Sequence, residues 1–411
     1  MTSESKSTEK PGPFLADWDG EIQALWDSLP IDLRNELQET LKQLPGDPRG
    51  WRELLKQASQ HLHFAAGDKK RVAIVGPANV GKSTFYNRLI LEKQDRAKVS
   101  AVPGTTRESQ ESDMGIFSLI DTPGADAVGA VGKEEREKAI QSANEADVIV
   151  VMYDASHGIR IPEQELFGIL RELRKPIIVA LNKMDLIGTE KASVLGKAAA
   201  ALGIDVEDLV PLSAKNGDGV ASVLISIARS EPGIISSLGN ALPAYRWNLA
   251  QVQIGRAAST AAAIAITPLP FLDFIPLIGI QAALVLGIAR TYAKKMTLAR
   301  ARELIATFGL GLLGRTLFYE LAKLGGPPGW LVAAAVAAGT TVAIGYVAMI
   351  WFERGVKLSA DAVQRISKAV SETIIARLQD LGKNRPQKKT LRERVFEALE
   401  DLEPPSQESD D

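Results

Sequence analysis

Gly76-Pro77-Ala78-Asn79-Val80-Gly81-Lys82-Ser83 spells a glycine, four residues, then Gly-Lys-Ser, between the apolar run Arg71 to Val75 and a stretch with helical patterning. That context matters because the chemistry of the pattern needs a strand before it and a helix after it. Glycines let backbone N–H groups converge on the β- and γ-phosphate oxygens, and the helix adds the positive end of its dipole. Lys82 supplies a fixed cation, and the Ser83 hydroxyl is placed to ligate Mg²⁺. A glycine-rich turn that merely caps a helix can share this spelling, so the downstream sequence has to decide.

Working outward, short Val and Ile runs alternate with helical stretches, which predicts an α/β fold with a mostly parallel sheet covered on both faces. Strands are expected at Arg71 to Val75, Gly115 to Ile120, Asp147 to Tyr153, Pro176 to Leu181 and Asp208 to Leu212, with a weaker polar one near Arg107 to Asp113. Three of these carry further pieces of a nucleotide site at their ends. Asp121-Thr122-Pro123-Gly124 offers a carboxylate to hold magnesium through water and, at Gly124, an amide to sense a γ-phosphate. In Asn182-Lys183-Met184-Asp185, the Asp185 carboxylate can accept two hydrogen bonds from guanine N1 and N2, which adenine cannot offer in that arrangement. Asn182 and Lys183 would brace the loop and cover the ring. Ser213-Ala214-Lys215 would bring a backbone amide to guanine O6. An isolated Asn-Lys-x-Asp is often just a polar turn, whereas four pieces in order, each at a strand end, point together to GTP or GDP rather than ATP.

These motifs make residues 71 to 230 resemble the translation-factor-type GTPases, and within them the Era-like bacterial group. The resemblance rests on Asn79-Val80-Gly81-Lys82-Ser83-Thr84, on Pro103-Gly104-Thr105-Thr106-Arg107, and on the Asp-Thr-Pro-Gly and Asn-Lys-Met-Asp stretches. It implies that Thr106, with Thr105 as second choice, is a switch threonine completing magnesium coordination, so that Ser83, Thr106 and Asp121 form the metal set. Residues 93 to 107 and 122 to 135 become the switches. The implied nucleotide contacts are Gly76, Asn79, Val80, Gly81, Lys82, Ser83, Thr84, Asn182, Lys183, Asp185, Ser213, Ala214 and Lys215, with Lys82, Thr106, Gly124 and Asn79 carrying catalysis.

Ras-like members orient water with a glutamine just after the third motif's glycine, but Ala125 stands there and cannot hydrogen-bond water. Several members of the group that the chain resembles use K⁺ near the phosphates, held partly by the asparagine that Asn79 matches. K⁺ at Asn79 is therefore one expectation, and Asn79 as a simple loop stabiliser the other. Glu134 and Glu135 could orient water, although a Lys-Glu-Glu-Arg-Glu run opening a helix is more often a solvated face. Slow intrinsic turnover is expected.

The chain has 411 residues, 45% hydrophobic and 24% charged, with 48 basic and 50 acidic side chains giving a net charge of −2. Wholesale disorder and global polycation behaviour are excluded. The average conceals a split, because residues 244 to 352 hold nine Lys or Arg against three Asp or Glu, leaving the acidic excess elsewhere. No cysteine exists, so disulfides and thiolate chemistry are absent, and the three histidines (His61, His63, His157) offer no metal-ligand cluster. The start, Met-Thr-Ser-Glu-Ser-Lys-Ser, lacks the apolar run of a signal peptide, from which a cytoplasmic N-terminus is expected.

The expected units are a flexible tail (1–12), an N-terminal helical extension (13–70), the α/β domain (71–230) and a Pro-marked linker (231–243). An all-α apolar basic domain (244–352), amphipathic helices (353–401) and an acidic tail (402–411) follow. Within the apolar domain, residues 257 to 289 contain a single charge, Asp273, and three prolines, giving two 16-residue arms. Each arm is about 24 Å as helix, short of a bilayer's roughly 30 Å core, so a re-entrant or interfacial hairpin fits better than two spans. Trp330 to Phe352 has length enough to span, with basic residues bracketing it that suit anionic headgroups. A soluble Ala- and Gly-rich bundle is the alternative. Gly309 to Gly314 carries a dinucleotide-type glycine spacing with no strand before it, which reads as helix packing. Residues 250 to 355 resemble an uncharacterised apolar domain fused to Era-like GTPases, which implies membrane association.

The resulting expectation is a GTP-hydrolysing switch coupled to an apolar domain at the cytoplasmic face of a membrane. A ribosome-assembly GTPase is a second reading, opposed by the lack of an aromatic-and-basic RNA surface, so nucleic acid is not an expected partner. A dynamin-like remodelling machine is a third, and would need self-association through the switches or flanking helices.

Overall fold

β1 (Val72–Pro77) and β3 (Val148–Asp154) lie side by side at the middle of a five-stranded sheet, and every residue of both strands is buried. Central strands of a parallel sheet are covered on both faces, which is why they read as unbroken apolar runs rather than as alternation. β2 (Phe117–Thr122), β4 (Ile177–Asn182) and β5 (Leu209–Pro211) complete the order β2-β1-β3-β4-β5, all pairs parallel. The computed structural model describes residues 70–91, 117–122, 140–141, 143–266, 274–296, 301, 328–355, 359–378 and 386–400. The N-terminal helical extension apart from Lys70, the weak strand expected near residue 110, both switches apart from Thr122, and the acidic tail lie outside these residues.

Because successive side chains along a strand point to opposite faces, each strand feeds two cores. Val72, Ile74, Val150 and Met152 face α1 (Lys82–Leu91) and α4 (Val220–Ser230), where Phe85, Leu89, Leu224 and Ile227 meet them. Ala73, Val75, Ile149 and Val151 face α2 (Ile161–Glu172) and α3 (Lys191–Leu202), against Phe167, Leu170 and Leu202. Five of the predicted strands are found within a residue or two, with β5 starting at Leu209 because Val206–Asp208 closes into a 3₁₀ turn. The order also has a functional consequence. Connections leave β1 and β3 toward opposite sides, which opens a crevice at their carboxyl ends.

The stretch 231–243, expected as a linker, is folded. Glu231 accepts a hydrogen bond from the Gly233 N–H at 3.2 Å and starts a 3₁₀ turn, Pro232–Ile234, that runs into α5 (Ile235–Ala241). Proline at a first helical position starts a helix rather than breaking one. Ile234, Ile235 and Leu238 are buried in the same core as α4.

The remaining helices form a bundle: α6 (Arg246–Ala265), α7 (Phe274–Thr291), α8 (Gly329–Arg354), α9 (Ala360–Leu378) and α10 (Lys388–Glu400). The charged helices 353–401 are part of this bundle, since Val363, Ile374, Leu391 and Val395 are buried in its core. α6 belongs to two cores at once: Leu249 and Val252 complete the sheet's α4 side, while Ala250, Ile254 and Ala258 face the bundle. α8 is apolar all round, the pattern of a helix enclosed on every side or of a membrane span. By length and composition alone its 26 residues could cross a bilayer, but 94% of its most apolar window is buried inside the protein. Thr340 and Thr341 satisfy their hydroxyls on Val336 and Ala337 carbonyls one turn back, at 2.8 and 2.7 Å, so no bare polar group enters this core from them.

Candidate nucleotide site

The loop after β1 rises into the crevice and feeds α1, as its spelling predicts. Two backbone conformations define it: Asn79 has φ 63° and Gly81 has φ 99°. Asparagine is among the few side chains that tolerate the left-handed region, so the residue at 79 has a conformational reason to be there whatever else it does. Gly81 is fixed more strictly, because a Cβ on it would stand 2.3 Å from Asn182 Nδ2. Lys82 is buried, and its ammonium donates to the Gly76 and Pro77 carbonyls, each at 2.7 Å, which folds the side chain back across the loop. Ser83 and Thr84 are exposed on the first turn of α1. Gly76 pairs in register with Asp121 at the end of β2, so the phosphate loop and the third motif start from neighbouring points on the sheet rim.

Asn182, the last residue of β4, joins two loops. Its Nδ2 donates to the Val80 carbonyl at 2.8 Å, and its Oδ1 accepts from the Ala214 N–H at 2.9 Å. The following Lys183 is left-handed (φ 66°) and starts the 3₁₀ turn Met184–Leu186 that displays Asp185. Asp185 is exposed, with Oδ1 accepting from the Ser213 hydroxyl at 2.7 Å, and the Met184 N–H bonds the Leu212 carbonyl at 3.1 Å. Asn182, Lys183, Asp185, Ser213 and Ala214 are thus held in one assembly against the phosphate loop, as the motif spacing requires. Thr106 and Gly124, together with Ala125, Glu134 and Glu135, lie outside the described residues.

Two contributors escaped the sequence reading. Arg88 on α1 donates through Nε to the Ala214 carbonyl at 3.4 Å and through Nη2 to the Lys215 carbonyl, tying the base-side loop to the helix of the phosphate loop. An arginine in an amphipathic helix gives no signal of this. Asp154 ends β3 and accepts from the Lys183 ammonium at 2.5 Å. Its signal was present: one carboxylate closes a run of six apolar residues. His157 places Nδ1 3.1 Å from Asp154 Oδ2. Burial opposes ionisation of Asp154, but hydrogen bonds from Lys183, Ser156 and His157 outweigh it and hold the carboxyl below the usual range.

Residues 71–183 match the family model described as 50S ribosome-binding GTPase. This stretch is a P-loop GTPase domain. Residues 238–379 match a second model, Domain of unknown function (DUF697), which falls on α5 to α9. The GTPase domain is 37% identical over 169 residues to GTPase Der of Rickettsia bellii (strain RML369-C), covering 40% of this chain and 35% of that protein. It is 33% identical over 180 residues to GTPase Der of Christiangramia forsetii, covering 42% and 40%. The chain therefore spans little more than a third of the length of the curated relatives it matches. At these identities the GTPase domain is that of a GTP-hydrolysing enzyme. Among solved structures, an Era variant from Aquifex aeolicus bound to GDP and AlF4⁻ is 32% identical, with a TM-score of 0.31, covering 39% of this chain and 56% of the other. Era in complex with MgGDPNP and part of 16S ribosomal RNA is 27% identical, TM-score 0.30, covering 46% and 66%.

Proposed function

We propose that the whole chain is a GTP-hydrolysing switch whose nucleotide state is passed to the helical bundle through α4 and α6. The observation that carries this is Asn182, which links the phosphate loop at Val80 to the guanine loop at Ala214 in one buried network. The loop around Ala214 leads directly into α4, whose Val223 and Ile227 share a core with Leu249 and Val252 of α6. A change in the guanine loop thus has a packed route into the bundle.

Magnesium fits the donor set: the Ser83 hydroxyl is exposed at the start of α1, and Asp121 starts from the strand position beside Gly76. With Thr106 these residues would hold Mg²⁺, which when bound would neutralise charge on the β- and γ-phosphates. Lys82 would add its ammonium to the same oxygens, Asp185 would read guanine N1 and N2, and the Gly124 amide would sense the γ-phosphate. K⁺ at Asn79 belongs to this reading too. Hydrolysis several-fold faster in KCl than in NaCl would support it, and equal rates would leave Asn79 with its loop conformation alone.

Titration calorimetry of the purified chain with GDP and a non-hydrolysable GTP analogue tests the central reading, which requires heat of binding for both. Asp185→Asn should shift preference toward xanthosine nucleotides.

The bundle's partner is proposed as the cytoplasmic face of a membrane, met peripherally, on the strength of the basic residues Lys294, Lys295 and Arg354, all exposed at helix ends. A ribosome-assembly role is the second reading, favoured by the description of the matched family as ribosome-binding. On this second reading nucleic acid, not expected as a partner from the sequence, becomes one. Fractionation separates these readings: a membrane protein pellets with vesicles, and a ribosomal one sediments with subunits.

A further inference from the structure

β3 is apolar from Val148 to Tyr153 and then ends in a carboxylate that is only 8% exposed. Placing a charge there is costly unless it is fully hydrogen-bonded. Asp154 meets that condition with both oxygens. Oδ1 accepts from the Ser156 N–H at 2.9 Å and the Ser156 hydroxyl at 2.6 Å, while Oδ2 takes the Lys183 ammonium at 2.5 Å and faces His157 Nδ1 at 3.1 Å. One residue further on, the Ala155 N–H donates to the Asn182 carbonyl at 2.8 Å. The turn after β3 is therefore joined to the Asn182–Asp185 loop twice, once by backbone and once by an ion pair.

We infer that Asp154 is a positioning residue for guanine recognition: it anchors the Lys183 ammonium so that the lysine stem forms a fixed ledge for the purine ring beside Asp185. The inference rests on the GTP reading above. Three features of the chain support it. Lys183 is half-buried, so the pair is shielded from water more than a surface ion pair. The backbone at Lys183 is left-handed and directly precedes the turn that displays Asp185, so the anchor restrains the loop at the point where it bends. Finally, β3 borders β1 on the crevice side, which brings the anchor to the rim where the phosphate loop begins. No contact of Asp154 itself with nucleotide is required. Its effect is on how well the ledge is held, and so on affinity rather than on the chemical step.

The experiment measures equilibrium affinity for a fluorescent GDP and steady-state GTP hydrolysis, on the full chain, for the wild type, Asp154→Asn, Lys183→Met and the double variant. Asp154→Asn should weaken GDP about tenfold, as expected for loss of a charge-assisted bond, raise KM in step, and leave kcat within twofold. In the Lys183→Met background the same change should cost less than twofold, because the ledge is already gone. Additive losses in the double variant, or unchanged affinity in Asp154→Asn, would overturn the assignment. Asp154→Glu keeps the charge and should bind GDP within threefold of wild type. This arm serves if the asparagine variant does not fold, and a glutamate variant that folds yet binds as weakly as Lys183→Met would also overturn the assignment. Absence of guanine nucleotide binding by the wild type would instead defeat the GTP reading itself.

Discussion

The carboxamide of Asn182 spans the gap between two loops that lie far apart in sequence, donating to the Val80 carbonyl and accepting from the Ala214 N–H within 3 Å on each side. Both bonds are buried, so each is worth more than an exposed one and leaves an unsatisfied partner when removed. Asn182→Ala is expected to weaken GDP binding by tenfold or more and to lower the melting temperature. Gly81→Ala should do the same from the other side, by pushing a methyl into Asn182 and by forcing a side chain onto φ 99°. Calorimetric titration of both variants checks this, and an affinity within twofold of wild type would count against it.

Arg88 donates to the Ala214 and Lys215 carbonyls, in the loop proposed to meet guanine, from the phosphate-loop helix. Arg88→Ala should speed GDP release about three- to tenfold, read by stopped-flow displacement of a fluorescent nucleotide. Arg88→Lys should rescue poorly, because a single ammonium cannot reproduce a planar fork addressing adjacent carbonyls.

Close helix approach in the bundle predicts a stability cost at two glycines. A Cβ at Gly339 would stand 2.3 Å from the Ser371 hydroxyl and 2.6 Å from the Ser367 carbonyl, and one at Gly345 would stand 2.4 Å from the Ile254 side chain. Ile254 is buried and β-branched on a helix, so its χ1 cannot readily turn away. Gly339→Ala and Gly345→Ala should each cost about 1–3 kcal/mol in urea unfolding.

Asp147 starts the path into β3 and pairs with Lys70 at 3.1 Å while accepting from the Arg71 N–H at 2.9 Å. Burial opposes its charge, but these bonds prevail and hold its carboxyl below the ordinary range. A carboxyl lowered in the folded state adds stability that is complete above the unfolded pKa of about 3.9. It is lost as pH falls through the lower folded value. Asp147→Asn should therefore melt below wild type at neutral pH, with the gap closing in acid. A gap that stays constant down to acid pH would contradict this account.

The strands were legible because parallel central strands need apolar residues on both faces, and Val148 to Tyr153 admits no other reading. The phosphate and base motifs were legible because each demands a fixed residue at a strand end. What sequence could not convey was how those loops hold one another. Arg88 lies 126 residues from the carbonyl of Ala214 that it caps, and nothing local marks it. The stretch 231–243 was misread for a different reason: Pro232 and Pro243 each sit at the start of a helical turn, where proline is favoured, so breaker residues there signal a beginning. In α8, composition favoured a membrane over a bundle, although apolar residues all round suit either surrounding.

Leu249 and Val252 sit on a helix whose other side carries Ile254 and Ala258 into the bundle, so neither half of the molecule owns its own interior. A recombinant fragment ending at Pro243, after α5, would lack Leu249 and Val252, leave the core around Leu224 and Ile227 open to water and should be prone to aggregate. Heating the intact chain should accordingly melt both halves in a single cooperative transition.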